Sequence, residues 1–453
     1  MQDATTRHSS SYRDPSGFIF YHNGILYRQV NKVFKEDFDQ FISGGLYDDL
    51  VARNFLVRHE VIEEDLTGID DWYKTLQPEV LPFISYPYEW CFEMWKDAAL
   101  ITLDIAREAI SHGMILKDAS AYNVQWQKGK MIFIDTLSFE KYDEEEPWIA
   151  YRQFCEHFLA PLALMHYLKE PLQSLFIAYP DGIPLQMARK LLPFRSKLNL
   201  NVYLHIHLHG SVAQKPAQRN TAKKFSRQKL QNLLRSLKEA VMSFSLDQPS
   251  GVWSGYYKEA TARQDYLLQK KQMVDEWSRK TGFETAVDLG ANEGEFSELI
   301  ASNAKLIIST DFDHYSVNQL YRNTSHTNVL PLVADLSRPS PAMGVNNEER
   351  LALTDRVKVD LVLALALIHH LAIGRNIPFE KIARLFQKAG TFLIIEFVPK
   401  EDEKIKLMLE GRKDVYQWYA KDQFINIFSK YYSILESKEI GTSNRTLYLM
   451  QAL

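Results

Sequence analysis

From Thr285 onward, short apolar runs alternate with amphipathic stretches. The runs are Thr285–Leu289, Lys305–Thr310, Asn328–Ala334, Val359–Ala366, Thr391–Ile395 and Thr446–Met450. Each reads as a strand. Between them, Phe296–Asn303 and Phe379–Gln387 repeat apolar residues at helical spacing. Strands interleaved with helices predict a parallel sheet. Ligands of such sheets bind at the carboxyl ends of the strands. Those ends carry Asp288, Asp311, Asp335, the pair His369-His370, and Glu396.

The N-terminal half has a different rhythm. Phe18–Tyr21, then His22-Asn-Gly24, then Ile25–Val30 predict a β-hairpin, since Asn-Gly is the favoured tight turn. Helical patterns follow over Leu46–Val61 and over Asp97–Ser111, where Ala98, Ile101, Ile105 and Ile110 form most of one face. Lys130–Asp135 reads as a strand ending on an acid. His205-Ile-His-Leu-His209 reads as a strand that would turn three imidazoles to one face. Imidazole ligates transition metals, but the segment lies beside basic residues and lacks a fourth ligand. These histidines are therefore read as structural or substrate-contacting, and no metal site is expected. After the polar stretch Ser211–Thr221, Leu230, Leu233, Leu234, Leu237 and Val241 predict a helix capped by Ser226. The predicted organisation is a first domain over residues 1–210, a basic linker and helix over 211–250, and an α/β domain over 251–453.

The turn after the first α/β strand carries the chemistry. Asp288-Leu-Gly-Ala-Asn-Glu-Gly294 is a strand end, a glycine turn and a helix start. Gly290 and Gly294 let a ligand approach backbone where no Cβ stands in the way. The spacing Asp-x-Gly-x-x-x-Gly differs from the Gly-x-Gly-x-x-Gly of dinucleotide sites. It points to S-adenosylmethionine. Asp311 stands 21 residues beyond Gly290, at the tip of the second strand, where a nucleoside ribose is hydrogen-bonded.

On these residues the stretch 251–453 resembles a class I S-adenosylmethionine-dependent methyltransferase with a seven-stranded Rossmann-like sheet. Asp288–Gly294 matches that family's first motif, Asp311 its ribose-binding acid and Asp335 its adenine-flanking acid. Leu365–Leu371 and Ile394–Lys400 resemble a narrower bacterial group, the nodulation-protein-like methyltransferases, over most of the chain. The resemblance implies a cofactor site of Asp288, Gly290, Ala291, Asn292, Gly294, Asp311, Phe312, Asp335, Leu336 and Ala366. It tilts the acceptor towards a saccharide or other small molecule methylated on oxygen. An oxygen nucleophile needs a base, and His369 is the expected one, with His370 or Glu396 as alternatives and Glu396 as orienting partner. Trp253, Tyr256 and Tyr257 are expected either to cover substrate or cofactor or to form an aromatic packing cluster between the domains, and Arg412 and Tyr416 to close over substrate.

The first half carries a second resemblance. Asp118-Ala-Ser-Ala-Tyr-Asn123, followed by a strand ending on Asp135, is similar to the catalytic loop of protein-kinase-like and aminoglycoside-kinase-like folds. That pattern implies an acid that orients an acceptor hydroxyl, and an Asn and Asp that hold magnesium. This chain departs from it. Asp135 precedes Thr-Leu-Ser rather than Phe-Gly, no glycine-rich phosphate loop precedes the hairpin, and Arg28 is the nearest substitute for the phosphate-pairing lysine. The expectation is a degenerate α+β kinase-like domain that recognises substrate or acts as a scaffold. A working phosphotransferase, and an adaptor with a vestigial cofactor pocket, are the alternatives.

Composition changes little. At 453 residues the chain should hold two to three domains. Two cysteines exclude a disulfide framework. The start has no apolar signal-peptide core and no run reaches membrane-span length, so a cytoplasmic, bacterial-type protein is expected. The net charge of −4 is unevenly placed. From Gly182 to Lys238 there are 12 Lys or Arg and no acid, leaving −4 − 12 = −16 on the remainder. This stretch is a candidate contact for an anionic partner, or a solvated face against the acidic remainder. Few aromatics interleave it, which disfavours single-stranded nucleic acid.

Overall fold

The computed structural model describes residues 5–212, 225–247, 264–411 and 415–453. The chain divides into two compact units. One is Met1–Asp247 with Met343–Arg350, the other Gln248–Ala342 with Leu351–Leu453.

The first unit opens with a five-stranded antiparallel sheet of order β1-β2-β3-β5-β4. Its strands are β1 (Thr5–Arg7), β2 (Gly17–His22), β3 (Ile25–Asn31), β4 (His59–Ile62) and β5 (Trp72–Pro78). The predicted hairpin is β2–β3, with Asn23 and Gly24 at φ 50° and 81°. Helices α1 (Lys35–Ser43) and α2 (Leu46–Ala52) cross between β3 and β4. The helix expected to reach Val61 stops at Ala52. Asn54 adopts the left-handed φ of 55°, a common helix stop, and the chain continues into β4.

Helix α3 (Phe92–Ser111) buries Trp95, Ala98, Ile105 and Ile110. Two small ribbons follow, β6 (Met114–Leu116) with β9 (Phe139–Lys141), and β7 (Val124–Gln127) with β8 (Lys130–Phe133). The predicted helix forms over Arg227–Met242 as α4. It buries Leu230, Leu234, Leu237 and Val241 and packs on α3, with Lys238 bonded to Asp104 at 2.6 Å. Ser226 precedes it, but its side chain makes no capping bond.

The strand expected over His205–His209 is helical instead. Asn199 caps a turn at Leu200–Val202 by accepting the N–H groups of Asn201 and Val202, and the coil runs on through a π-helix over Tyr203–Leu208. Once that helix is nucleated, alternation no longer puts the imidazoles on one face. His205 bonds Tyr151 and Ser236 at 2.8 Å each, His207 bonds Ser196 at 2.8 Å, and His209 stacks on Tyr151.

The second unit is built on a seven-stranded sheet of order β12-β11-β10-β13-β14-β16-β15. The strands are β10 (Thr285–Leu289), β11 (Leu306–Asp311), β12 (Val329–Val333), β13 (Val359–Ala364), β14 (Gly390–Phe397), β15 (Tyr432–Glu439) and β16 (Thr446–Ala452). The first five are parallel and β16 runs antiparallel to β14 and β15. Strand β15 escapes the apolar-run reading because it is an edge strand with most positions exposed. Helix α5 (Gln264–Thr281) supplies Met273, Val274 and Trp277 to a core shared with Ala286, Ile307, Leu361 and Ile394. The strand order reverses at β10, and a ligand crevice is expected at the carboxyl end of that strand. Among the described residues no helix is long and apolar enough to cross a membrane.

Candidate functional site

Strand β10 ends in a turn that only special backbone can make. Gly290 and Gly294 sit at φ 76° and 85°, and Asn292 at 52°. A Cβ on Gly294 would stand 2.3 Å from Leu320 Cδ1, and one on Gly290 3.1 Å from Leu367 Cδ1. The N–H groups of Gly290 and Ala291 both donate to the Thr310 carbonyl, at 2.8 and 2.9 Å. The turn is thus stapled to β11, whose last residue is Asp311. The Asp311 carboxylate accepts the N–H of Asn292 at 2.8 Å and of Asp313 at 2.9 Å. Burial raises its pKa.

Asp288 is buried beneath the turn. Ser297 donates to it at 2.7 Å and Ser309 donates to Ser297 at 2.7 Å. Burial pushes its carboxyl up to about 6, partly offset by Ser297 and the Lys270 charge. Asp335 lies just past β12. Burial would raise its pKa, but bonds from Ser337 and Arg338 and the Arg375 charge hold it below the usual carboxylate range.

These groups surround a cleft of about 730 Å³. Of the residues expected to hold cofactor, Asp288, Gly290, Ala291, Asn292, Asp311, Phe312, Asp335, Leu336 and Ala366 line it. Gly294 does not line it and shapes the turn from behind. Ala366 is held at φ 51°, an unfavourable conformation for a residue with a Cβ, of the kind that collects at ligand sites.

Of the two histidines, His370 lines the cleft and His369 does not. His369 is 2% exposed and its ring lies 4.3 Å from that of His370. The chain turns into a π-helix at His370, which sends the two side chains to different depths. Burial, then the charges of His370, Arg445 and Lys270, hold His369 well below the ordinary imidazole range. Burial also lowers His370.

No protein-family model matches the chain. It is 31% identical, over 458 residues, to the nodulation protein NoeA of Rhizobium meliloti (strain 1021), covering 98% of this chain and 96% of that protein. The chain belongs to the NoeA family. Among solved structures it is similar to the N-methyltransferase NodS of Bradyrhizobium japonicum WM9, with 13% identity, TM-score 0.31, and coverage of 41% of this chain and 96% of that one. It is also similar to the magnesium protoporphyrin IX methyltransferase ChlM of Synechocystis PCC 6803 with bound S-adenosylhomocysteine, with 14% identity, TM-score 0.30, and coverage of 46% and 90%.

In this NoeA-family chain Glu396 is not placed as a base. It is fully buried in β14, and the Tyr266 hydroxyl donates to it at 2.5 Å. Lys270 Nζ reaches it at 2.6 Å and Arg445 Nη1 at 3.2 Å. Burial alone would raise its pKa, but the Lys270 and Arg445 charges bring it down to about 2. A carboxylate so engaged stays ionised and takes no proton at neutral pH. Arg445 also makes a two-pronged pair with Asp402, at 2.8 and 3.0 Å. Tyr266, Lys270, Asp402 and Arg445 all line the cleft.

The sequence does not single out these four residues. Lys270 sits in an amphipathic helix where a lysine normally faces water, and Arg445 sits beside a turn at the start of the last strand. Tyr416 is described but lies outside the cleft lining. Trp253, Tyr256, Tyr257 and Arg412 fall outside the described residues.

In the first unit of the NoeA-family chain, Asp118, Asn123 and Asp135 come together. Asp118 accepts bonds from Ser120 N–H at 2.9 Å and Gln153 at 2.8 Å. Its pKa is raised by burial and by the Asp135 charge, and Asn123 hydrogen-bonds it. Asp135 is paired with Arg28 at 2.5 Å. Burial would raise the Asp135 pKa, but Arg28 holds it below the usual range.

Proposed function

We propose that this NoeA-family chain is an S-adenosylmethionine-dependent methyltransferase acting on a hydroxyl of a saccharide or similar small molecule. The observation that carries the reading is the position of Asp311. A buried carboxylate stands at the tip of β11, fixed to the N–H of Asn292 in the glycine turn of β10. It opens into a cleft where the strand order reverses.

The residues fit the cofactor. The Asp311 carboxylate accepts backbone N–H groups of the turn and of the helix start, and its two oxygens offer further acceptor capacity for a ribose hydroxyl. Asp335, Phe312 and Leu336 offer one acid and two apolar surfaces for a nucleobase. The turn at Gly290 offers backbone unscreened by a Cβ. The bound cofactor supplies a methyl group on a sulfonium centre, open to in-line displacement.

The rest of the reaction falls to the protein. His370 is the proton acceptor in this reading. Burial favours its neutral imidazole, the form that accepts a proton from a hydroxyl. His369, buried behind it, packs the ring from one side. The ion pairs of Glu396 with Lys270 and Arg445 hold Tyr266 and Arg445 in fixed orientations at the cleft wall. Positioning of this kind supplies much of the rate in a displacement reaction. Tyr266, Asp402, Glu403, Lys404 and Arg445 make that wall polar, which suits an acceptor rich in hydroxyl groups.

The first unit is read as a binding scaffold. Asp135 would have to give up Arg28 before it could hold magnesium, which weighs against the phosphotransferase alternative.

Transfer from methyl-labelled S-adenosylmethionine to a panel of oligosaccharides, phenols and amines tests the proposal. The expected product is a methyl ether on a saccharide, lost in His370→Ala. Transfer confined to amines, or no transfer to any acceptor, contradicts it.

A further inference from the structure

The basic stretch of the first unit also carries apolar side chains turned outward. On the helical run from Leu200 to Leu208, the outward positions are Leu200, Tyr203, Leu204 and Leu208, while Val202, His205 and Ile206 point inward. That spacing, i, i+3, i+4, i+8, is one continuous helix face. Just upstream, Leu191, Phe194 and Leu198 are exposed as well. Phe194 is 73% exposed, Leu198 78% and Leu200 68%, values that put most of each residue's surface in water. Isolated exposed apolar residues are ordinary, but a run of seven large ones within 18 residues marks an interaction surface.

The charges around the run identify the partner. Arg189, Lys190 and Lys197 are exposed among these residues, and the Lys197 ammonium lies 5.4 Å over the Phe194 ring. No acidic residue occurs from Gly182 to Lys238. Exposed apolar side chains interspersed with exposed cations fit a layer with an anionic surface and a hydrocarbon interior. A second copy of the chain would bring the same cations against themselves, and a nucleic acid offers nothing to the leucines.

We infer that the face formed by Leu191, Phe194, Leu198, Leu200, Tyr203, Leu204 and Leu208 docks the protein peripherally on an anionic lipid bilayer. The apolar side chains enter the headgroup boundary, and Arg189, Lys190 and Lys197 meet lipid phosphates. This surface is independent of the methyl-transfer reading and stands or falls separately.

Co-sedimentation of the full chain with lipid vesicles tests it. Vesicles of phosphatidylcholine with phosphatidylglycerol should carry the protein down, and vesicles of phosphatidylcholine alone should not. Phe194→Ser with Leu198→Ser should weaken sedimentation at least about tenfold, from the apolar area withdrawn, with the melting temperature unchanged. Leu200→Ser with Leu204→Ser provides the same test on the second half of the face. Arg189→Glu with Lys190→Glu should also lower binding, as should added salt. Absence of binding to both vesicle types, or equal binding to both, overturns the inference. So does a wild-type dimer that the serine variants split while vesicle binding is untouched.

Discussion

The Asp311 carboxylate accepts the backbone N–H of Asn292 at 2.8 Å, tying the tip of the second parallel strand to the glycine turn of the first. One side chain thus shapes the turn and presents an anion to the cleft. The bond also satisfies the N–H of Asn292, which sits at the left-handed φ of 52°.

The turn itself is testable through its glycines. Gly294→Ala places a Cβ 2.3 Å from Leu320 Cδ1 at φ 85°. The expected loss of stability is about 2–3 kcal/mol. Gly282→Ala is the control, since Gly282 has a positive φ of 62° but no described atom within 4 Å of an added Cβ. It should cost only about 1 kcal/mol. Denaturant melts of both variants make the comparison, and equal losses would show that crowding against Leu320 is not what fixes Gly294.

His370 and His369 should separate in kinetics. His370→Ala is expected to lower kcat by about 10²–10⁴ with cofactor affinity unchanged. His369→Ala should act mainly on stability, because that ring is buried away from the cleft. The wild-type pH profile follows from the sign of the shift. Burial lowers the His370 pKa, so the neutral, proton-accepting form is gained as pH rises through a value below 6.5. The acid limb of kcat/KM should therefore lie below pH 6.5 and disappear in His370→Ala. An acid limb retained in that variant assigns the base elsewhere.

Glu396 predicts a pH-dependent stability of opposite origin. Its pKa falls from 4.5 to about 2 on folding, so its contribution is complete above 4.5 and is lost as pH drops towards 2. Glu396→Gln leaves Lys270 buried without its counter-charge and Arg445 paired with Asp402 alone, at an expected cost of about 3–5 kcal/mol near neutral pH. Thermal melts across pH 2–7 should show the gap between wild type and variant closing as the solution becomes acid. A constant gap would mean that Glu396 contributes by packing alone.

The parallel strands were legible because each is a buried apolar run with a polar residue at its functional end. Asp288, Asp311 and Asp335 stand out for that reason. The edge strand Tyr432–Glu439 was not legible, since an exposed strand carries no apolar run. The strand expected at the histidine run fails because a helix begun by the Asn199 cap overrides local alternation. Lys270, Asp402 and Arg445 were invisible for another reason. Their significance lies in meeting Glu396 or one another across long stretches of sequence, and no local spacing encodes that. The same network removes Glu396 from the candidates for a base, although its place at the end of a strand suggested the role.

The most direct test is isothermal titration of the full chain with S-adenosylmethionine, beside Asp311→Ala. One binding site is predicted for the wild type. Loss of two charge-assisted hydrogen bonds should weaken the variant on the order of 100-fold. No binding heat in the wild type, or equal affinity in Asp311→Ala, contradicts the assignment of this cleft to a methyl donor.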